Sequence, residues 1–425
     1  MRTLISTFAV VCLLSWAVSA ATITVDWSGG ADYTTIADAV AAAGVQDTIL
    51  VASGLYEESV QTSGKCLTIV GTGSGETIWQ WLGAEPALTV GELPDPWRFT
   101  LSEIALVGPH AGHPVVRWST ERLCLTGCNV VGELIGGESR THASIVDCVV
   151  DAVSATASFR SSEIISSTVG VARFLGADDY SHPVTIEDSE IGEVAGFGCY
   201  PTITNSSVDL MEQPKMLNAT DCEFGSIRMR GGQLTLRRCI VNTDVTVWGF
   251  STTADYYYGR VSIQNTLICG KIDYDVTLQT ENVWAGLHLT NNTILGNAGF
   301  NLVVWDPFAT VWPNRLRSNL VLGEMWMTGP WGTQAYLTVT HNDCMHGLSL
   351  PSAPGDSVFA NFTAPPLFCG YFGGDYTLQE CSPCAGAGHD GGDVGAFAVG
   401  CPCETPVEET SWGAIKSLFR GRPSN

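Results

Sequence analysis

A six-residue motif repeats along most of the chain and limits the folds that the chain can adopt. Each copy has an apolar residue, any residue, a polar or small residue, two further residues and a second apolar residue. Twelve copies lie between Leu101 and Cys344, at an average step of about 22 residues, which is typical of stacked structural repeats. Their third positions are Glu103, Gly127, Asp147, Ser161, Asp188, Asn205, Asp221, Arg238, Asn265, Asn291, Ser318 and His341.

The pattern inside each copy predicts a strand, a turn and a second strand. Apolar residues alternate before the third position, a β-branched or aromatic residue usually stands three residues after it, and helical spacing is absent. A unit this small cannot bury its apolar face alone, so each strand must pair with its equivalent in the next copy. The sequence therefore predicts an all-β solenoid, a parallel β-helix, with the variation in step from 14 to 27 residues accommodated by loops at one corner.

The two ends of the chain differ from the repeats. Residues 1–20 have the pattern of an export signal: Arg2, an apolar run from Leu4 to Val18, and small residues before Ala21. We predict a signal peptide over 1–20, a β-helix over 21–403, and a linker with an amphipathic tail over 404–425. The protein is then exported, to the extracellular space, the cell surface or the periplasm, and no later stretch is apolar enough to span a membrane.

The charge balance excludes some partners. The chain has 20 Lys and Arg against 43 Asp and Glu, a net charge of −23. Such a surface repels nucleic acid and anionic membranes, and we predict neither as a partner. No cofactor or metal site is predicted, although calcium stays open for so acidic a chain. Composition does not indicate an oligomeric state.

Nine cysteines are candidates for disulfide bonds because an exported protein meets an oxidising environment. Four occupy the same place in their repeats, and the pairs in consecutive copies are close enough either for bridges or for a column of free thiols. The other five suggest a cross-linked C-terminal cap over residues 369–403, with zinc binding as the weaker alternative. The nine are Cys128, Cys148, Cys222, Cys239, Cys369, Cys381, Cys384, Cys401 and Cys403.

A short helix is predicted near the N-terminus, within a cap over residues 21–64. Thr35 followed by Asp38 is a helix-start pair, and Gly44 is placed to end the helix. Its apolar residues share one face, so the helix can cover the first coil of a solenoid, which otherwise exposes its core. That face consists of Ile36, Ala39, Val40 and Ala43.

Segments at both ends resemble a known superfamily. Residues 32–36, Asp47-Thr48-Ile49 and 54–58 are similar to the opening of pectin methylesterases and of the wider right-handed parallel β-helix, or pectin-lyase-like, superfamily. Residues 375–378, 382–384 and 393–397 are similar to the closing segment of secreted bacterial β-helix proteins. The resemblance implies a right-handed β-helix. It does not imply one activity, because this fold carries lyases, hydrolases, esterases and binding proteins.

The chain lacks the later catalytic motifs that the resemblance to pectin methylesterases would require. We interpret Gln46-Asp47-Thr48 as part of the first strand after the helix, with a structural role. Three repeat carboxylates, at 147, 188 and 221, with Arg237 and Arg238 nearby, could serve a lyase, but a column of turn residues explains them better. No catalytic residue is predicted.

Aromatic residues are the strongest indication of function. Six of the 13 tryptophans fall between Trp248 and Trp331. Aromatic rings near Asp and Asn suit stacking on sugars with hydrogen bonds to their hydroxyl groups. The alternative is that these rings only cover the coil. The predicted ligand-binding residues are Trp248, Tyr257, Trp305, Asp306, Trp312, Trp326 and Trp331.

These observations predict an exported surface module, without catalytic activity, that binds a polysaccharide or another cell-surface ligand. Two alternatives stay open. One is a carbohydrate-active enzyme, either a polysaccharide lyase or a glycoside hydrolase, with an unrecognised carboxylate pair. The other is a structural adhesin.

Overall fold

The computed structural model describes residues 20–403 except 63, 94–96, 111, 120–121, 138–141, 157–160, 176–181, 197–198, 252–258, 279–284, 305–313, 329–336 and 351–355. The predicted signal, apart from its last residue, and the predicted tail lie outside the described residues. The chain divides into two compact units, residues 1–208 and 209–425. No helix among the described residues is long and apolar enough to cross a membrane.

The first unit consists of short parallel strands and one helix. In chain order the elements are β1 (Thr22–Val25), α1 (Ile36–Ala42), β2 (Thr48–Val51), β3 (Gly54–Glu57), β4 (Val60–Thr62), β5 (Thr68–Val70), β6 (Thr77–Gln80), β7 (Leu88–Val90), β8 (Phe99–Ser102), β9 (Ala105–Val107), β10 (Pro114–Trp118), β11 (Arg122–Thr126), β12 (Asn129–Gly136), β13 (His142–Val146), β14 (Val149–Thr156), β15 (Ser161–Ile165), β16 (Thr168–Leu175), β17 (His182–Glu187), β18 (Glu190–Ala195), β19 (Cys199–Thr204) and β20 (Ser207–Glu212), which contains the division.

Two sheets run through this unit. One pairs β1-β2-β5-β8-β11-β13-β15-β17-β19 in that order, every pair parallel. The other begins as two rows, β3-β6-β9 and β4-β7-β10, which join in the longer strands β12, β14, β16 and β18. Each strand thus pairs with its equivalent one coil later, as a parallel β-helix requires.

The second unit repeats the same arrangement. Its elements are β21 (Met216–Thr220), β22 (Glu223–Arg230), β23 (Gln233–Arg237), β24 (Ile240–Val241), β25 (Val245–Ser251), β26 (Arg260–Gln264), β27 (Leu267–Ile268), β28 (Ile272–Leu278), β29 (Gly286–Thr290), β30 (Thr293–Ile294), β31 (Ala298–Val304), β32 (Asn314–Arg317), β33 (Leu320–Val321), β34 (Met325–Thr328), β35 (Leu337–Thr340), β36 (Asp343–Cys344), β37 (Leu348–Ser349), β38 (Ser357–Phe359), β39 (Phe368–Gly370), a 3-10 helix (Tyr371–Gly373), β40 (Asp375–Gln379) and β41 (Val399–Cys401).

One parallel sheet of the second unit pairs β21-β23-β26-β29-β32-β35-β38. The other starts at β22 and continues as two rows, β24-β27-β30-β33-β36 and β25-β28-β31-β34-β37. In both units most apolar strand residues alternate inward and are buried, whereas a few, such as Leu50, Val149 and Ile240, are exposed. The prediction of an all-β, parallel β-helix solenoid is confirmed.

The repeat motif marks a turn in the left-handed backbone region. Eleven of the twelve predicted third positions have φ between 48° and 63°, from Asn205 to Gly127. The fourth copy was placed wrongly. Its turn residue is Ser166, with φ 49°, whereas Ser161 opens the strand β15. The polar pair Ser161-Ser162 imitates the motif, but Ser162 is buried and points into the coil.

The residue after each turn points inward, and from Cys128 onward these residues build a polar column. In the first unit the backbone N–H of Ser167 donates to Ser189 Oγ at 3.2 Å, and that of Ser189 donates to Ser206 Oγ at 3.1 Å. Each serine hydroxyl also donates to a carbonyl of its own coil, as Ser189 does to Glu187 at 2.7 Å. The column therefore supplies hydrogen-bond acceptors for buried backbone N–H groups at the turn, which have no partner in the sheet.

Asparagine takes this place in the later coils of the second unit. The backbone N–H and the Nδ2 of Asn292 both donate to Asn319 Oδ1, at 3.2 and 2.9 Å. Asn319 makes the same two bonds to Asn342, both at 2.9 Å, and its Nδ2 also donates to the carbonyl of Leu289 at 3.0 Å. Asn342 continues the pattern to Asn361.

The N-terminal helix forms as predicted. It covers Ile36–Ala42, and the Thr35 hydroxyl accepts from the N–H of Asp38. The carboxylate of Glu58 accepts from the first two helical N–H groups at 2.8 and 2.7 Å, and Lys65 Nζ donates to the last carbonyls at 2.8 Å. The negative charge at the N-terminal end and the positive charge at the C-terminal end interact favourably with the helix dipole. Asp47 accepts from Ala21 and Gly44, which is a structural role.

The C-terminal segment carries the only disulfides among the described residues. β40 pairs antiparallel with β39 and parallel with β41. The bridges join Cys369 to Cys401 and Cys381 to Cys403. Leu378, Cys384 and Val394 pack with Leu320 into a small apolar core. The segment therefore packs against the coils of its own unit, while Cys384 stays a buried thiol.

The four repeat cysteines are free thiols. Cys128 and Cys148 lie in the polar column of the first unit, where the N–H of Cys128 donates to Cys148 Sγ at 3.4 Å. Cys222 and Cys239 hold the same place in the second unit, and each thiol donates to a carbonyl two residues earlier. In-register side chains point the same way, so the thiols stack instead of turning toward each other. The free-thiol alternative is the one that the structure shows.

Candidate functional site

Two of the predicted ligand-binding residues lie on one outer face of the second unit. Trp248 is in β25 and Trp326 is in β34, three coils later, and both side chains are half-buried. Their Cα atoms are about 16 Å apart at the usual strand spacing. Two outward rows of side chains cross this surface, which we call the tryptophan face. The rows are Trp248, Asp275, Asn301 and Thr328, and Thr246, Asp273, Gly299 and Trp326.

Alternation along the strands directs these side chains outward. Val247, directly before Trp248, is buried, and so are Met325 and Met327 on either side of Trp326. Tyr274 separates the two aspartates of β28, points inward and donates from its hydroxyl to the carbonyl of Gly259 at 2.7 Å. Burial raises the pKa of Tyr274, so the phenol remains a donor. Asp273 and Asp275 therefore both face outward on a firmly anchored strand.

The indole of Trp326 lies over the neighbouring strand because that strand has a glycine in register. Gly299 pairs with Trp326, and a Cβ at position 299 would be 2.5 Å from Trp326 Cζ2. Any larger residue would push the ring away from the sheet. Gly299 thus allows the aromatic ring to lie against the surface.

Hydrogen bonds fix the polar groups between the two tryptophans. Asn301 Nδ2 donates to Asp275 Oδ1 at 2.9 Å, and Thr328 Oγ1 donates to Asn301 Oδ1 at 3.2 Å. Asp273 pairs with Lys271, with Nζ to Oδ2 at 3.2 Å. Each of these side chains keeps further donor or acceptor capacity for a ligand. The face combines two aromatic rings with a fixed row of oxygen and nitrogen atoms.

The remaining predicted ligand-binding residues cannot be placed on this face. Tyr257, Trp305, Asp306, Trp312 and Trp331 lie in the segments 252–258, 305–313 and 329–336, outside the described residues. Their role stays a prediction.

The repeat carboxylates occupy the turn row, as the sequence indicated. Asp147, Asp188 and Asp221 have φ between 50° and 57°. Arg238 makes a two-pronged contact with Asp221, at 2.7 and 2.6 Å, and this contact holds the pKa of Asp221 below its usual range. Arg238 is itself the turn residue of the next coil, so the pair ties consecutive turns together.

Sequence reasoning missed the polar members of the tryptophan face. Asp273, Asp275 and Asn301 lie outside the repeat motif, and nothing in one copy shows that they face the same way as Trp248. Residues that alternate with the buried positions of β28 and β31 face outward, and this alternation would have found them. It also missed a cavity in the first unit, which Arg98, Arg122 and His142 help to line.

Comparisons with known proteins do not assign this chain to a family. No protein-family model matches it, and no curated protein matches it. Matches exist among solved structures. One is pectin methylesterase from carrot, with 13% identity, coverage of 80% of this chain and 90% of that chain, and a TM-score of 0.23. A likeness at this score carries no argument, and the parallel pairing of the strands shows the fold by itself.

Proposed function

We propose that the protein is exported and binds a polysaccharide across the tryptophan face. The observation that supports this most directly is the placement of Trp248 and Trp326 at opposite corners of one outer face, with the row Asp275–Asn301–Thr328 between them. The two disulfides and the absence of a membrane-spanning helix from the described residues are compatible with export.

The chemistry of the face suits a sugar chain. Indole rings stack on the apolar faces of pyranose rings, and carboxylate and amide oxygens accept hydrogen bonds from sugar hydroxyl groups. A spacing of about 16 Å spans several sugar residues, so both rings can contact one chain. Because the polar row is held by its own hydrogen bonds, little side-chain entropy is lost on binding.

A glycan array followed by calorimetry on the best glycan tests this proposal. Trp248→Ala and Trp326→Ala should each weaken binding at least tenfold, because each removes one stacking ring. Gly299→Ala should weaken it less, since it displaces the Trp326 ring without removing it. Trp27→Ala is the matched control, as Trp27 is 60% exposed and belongs to the first unit. Absence of any bound glycan, or equal binding by all four variants and the wild type, would contradict the proposal and favour a structural adhesin.

Hydrolysis of the bound chain is a second candidate function, and one observation favours it. Asp273 and Asp275 are two residues apart on β28 and share the outer face, so their Cα atoms are about 6.6 Å apart. Two side chains that leave one face of a strand at this separation can place their carboxyl groups about 5–10 Å apart, the range that glycoside hydrolases use. Release of reducing ends from the bound glycan, lost in Asp273→Asn and Asp275→Asn while binding persists, would establish the enzyme. Binding without product release supports the non-catalytic function.

A further inference from the structure

A cavity of about 400 Å³ lies on the outer side of the first unit's nine-stranded sheet. It is independent of the tryptophan face, which belongs to the second unit. Four consecutive coils line it, with two outward rows of side chains. The first row is Arg98, Arg122, His142 and Ser161, and the second is Cys124, Ser144 and Glu163.

Register places the two arginines side by side. Phe99 pairs with Leu123, so Arg98, directly before Phe99, lies beside Arg122. Phe99 and Leu123 are both buried, which turns the two arginines outward. Neighbouring strands are about 4.8 Å apart, so two positive side chains start one strand spacing from each other.

Nothing in the described part of the chain compensates these two charges directly. Neither guanidinium forms a hydrogen bond or a salt bridge with a described residue. Like charges directly opposite each other on a sheet are destabilising. The chain has only 20 basic residues and a net charge of −23, yet two of them lie together here with no counter-charge bonded to either among the described residues. A bound anion would compensate the two positive charges.

The other ionisable groups set the charge of the cavity. Burial lowers the pKa of His142, with Arg122 adding to this effect and Glu163 opposing it, so the imidazole is neutral at pH 8. Its Nδ1 is 2.6 Å from Ser161 Oγ, which fixes the ring. Burial raises the pKa of Cys124, which keeps the thiol protonated. Two guanidinium groups and one carboxylate, that of Glu163, give the described lining one net positive charge.

We propose that this cavity binds a molecule with one singly charged oxyanion group and adjacent hydroxyl groups, such as a sulfate ester or a hydroxy carboxylate. The guanidinium groups of Arg98 and Arg122 bind the oxyanion, since the guanidinium fork matches two oxygens of one such group. Glu163 accepts a hydrogen bond from a ligand hydroxyl. A doubly charged group fits less well because one of its charges stays uncompensated beside Glu163.

Calorimetry at pH 8 on the full protein tests the proposal with glucose 6-sulfate, gluconate, glucose 6-phosphate and glucose. The sulfate ester, the carboxylate or both should bind, the phosphate ester should bind at least threefold more weakly, and glucose should not bind. Which of the first two binds identifies the source of the charge. Arg98→Gln and Arg122→Gln should each weaken binding at least tenfold. Arg117→Gln, an exposed arginine of β10 in the same unit, should leave it unchanged.

A charge change at Glu163 gives a readout that a structural role would not produce. Glu163→Gln raises the cavity charge by one. The affinity for glucose 6-phosphate should therefore rise at least threefold relative to the affinity for the singly charged ligand. Circular dichroism checks that each variant folds. If Arg122→Gln is misfolded, the affinities of Arg98→Gln and Glu163→Gln test the proposal. The proposal fails if neither singly charged ligand binds, if the cavity variants bind like the wild type, or if Arg117→Gln loses as much affinity as they do.

Discussion

The two units build the same coil around different polar columns. The first unit places Cys128, Cys148 and then serines after its turns, and each hydroxyl serves one N–H and one carbonyl. The second unit ends in four asparagines, whose amides also bond to one another. An amide has two donors and an accepting oxygen, whereas a hydroxyl has one donor. One turn geometry thus accepts several residues, and we expect the asparagine column to stabilise the contact between neighbouring coils more than the serine column does.

The largest expected effect is the loss of one central asparagine. Asn319→Leu removes the acceptor for two donors of Asn292 and the donor to Leu289, all of them buried. Unsatisfied buried groups cost about 1–3 kcal/mol each, and we expect the free energy of unfolding to fall by about 4 kcal/mol.

Urea denaturation measures this change. Asn242→Leu is the control, because Asn242 is exposed and should stay within about 0.5 kcal/mol of the wild type. Equal free energies of unfolding for Asn319→Leu and Asn242→Leu would contradict the expected stabilisation by the asparagine column.

The next largest effect is expected from reduction of the disulfides, which should change the stability of the second unit only. The described bridges, Cys369–Cys401 and Cys381–Cys403, both belong to the second unit. Dithiothreitol should destabilise that unit by about 3 kcal/mol, since each bridge restricts the unfolded chain. Hydrogen exchange should show faster exchange in residues 368–401 and no change around Cys128 and Cys148. A change there would mean that those thiols are bridged.

A serine of the first column should matter less than an asparagine of the second. Ser189→Ala leaves the N–H of Ser167 without its acceptor and removes the bond to Glu187. We expect a loss of about 1.5 kcal/mol in the free energy of unfolding. Urea denaturation measures it, with exposed Ser28→Ala as the control. A loss as large as that of Asn319→Leu would show that the amide-to-amide bonds add nothing.

The smallest effect is expected where one column residue replaces another. Cys148→Ser keeps a donor to Val146 and an acceptor for Cys128, in the same place that serine occupies one coil later. The free energy of unfolding should change by less than about 1 kcal/mol. A melting curve checks it, and a large loss would indicate that sulfur volume, not hydrogen bonding, holds this position.

Local features were predictable because they depend on residues close together in the chain. The helix start at Thr35 and eleven turn positions are examples, since capping groups and left-handed turns select particular residue types nearby. The fourth turn was missed because Ser161-Ser162 satisfies the pattern, and only the burial of Ser162 shows that this serine lies within a strand. A further turn, at Ala360 with φ 54°, was missed because alanine is not in the polar class.

The sequence by itself determined the period, the turns and the inward faces, and therefore the parallel β-helix, because strand alternation and turn chemistry are local. Only the tertiary structure decided which outward residues became neighbours. Trp248, Asp275 and Asn301 are 26 or 27 residues apart in the chain, as their pairing register shows, and so are brought together only by register between coils. Loop lengths set that register, and a two-residue shift would preserve every buried face while separating Arg98 from Arg122 and Trp326 from Gly299.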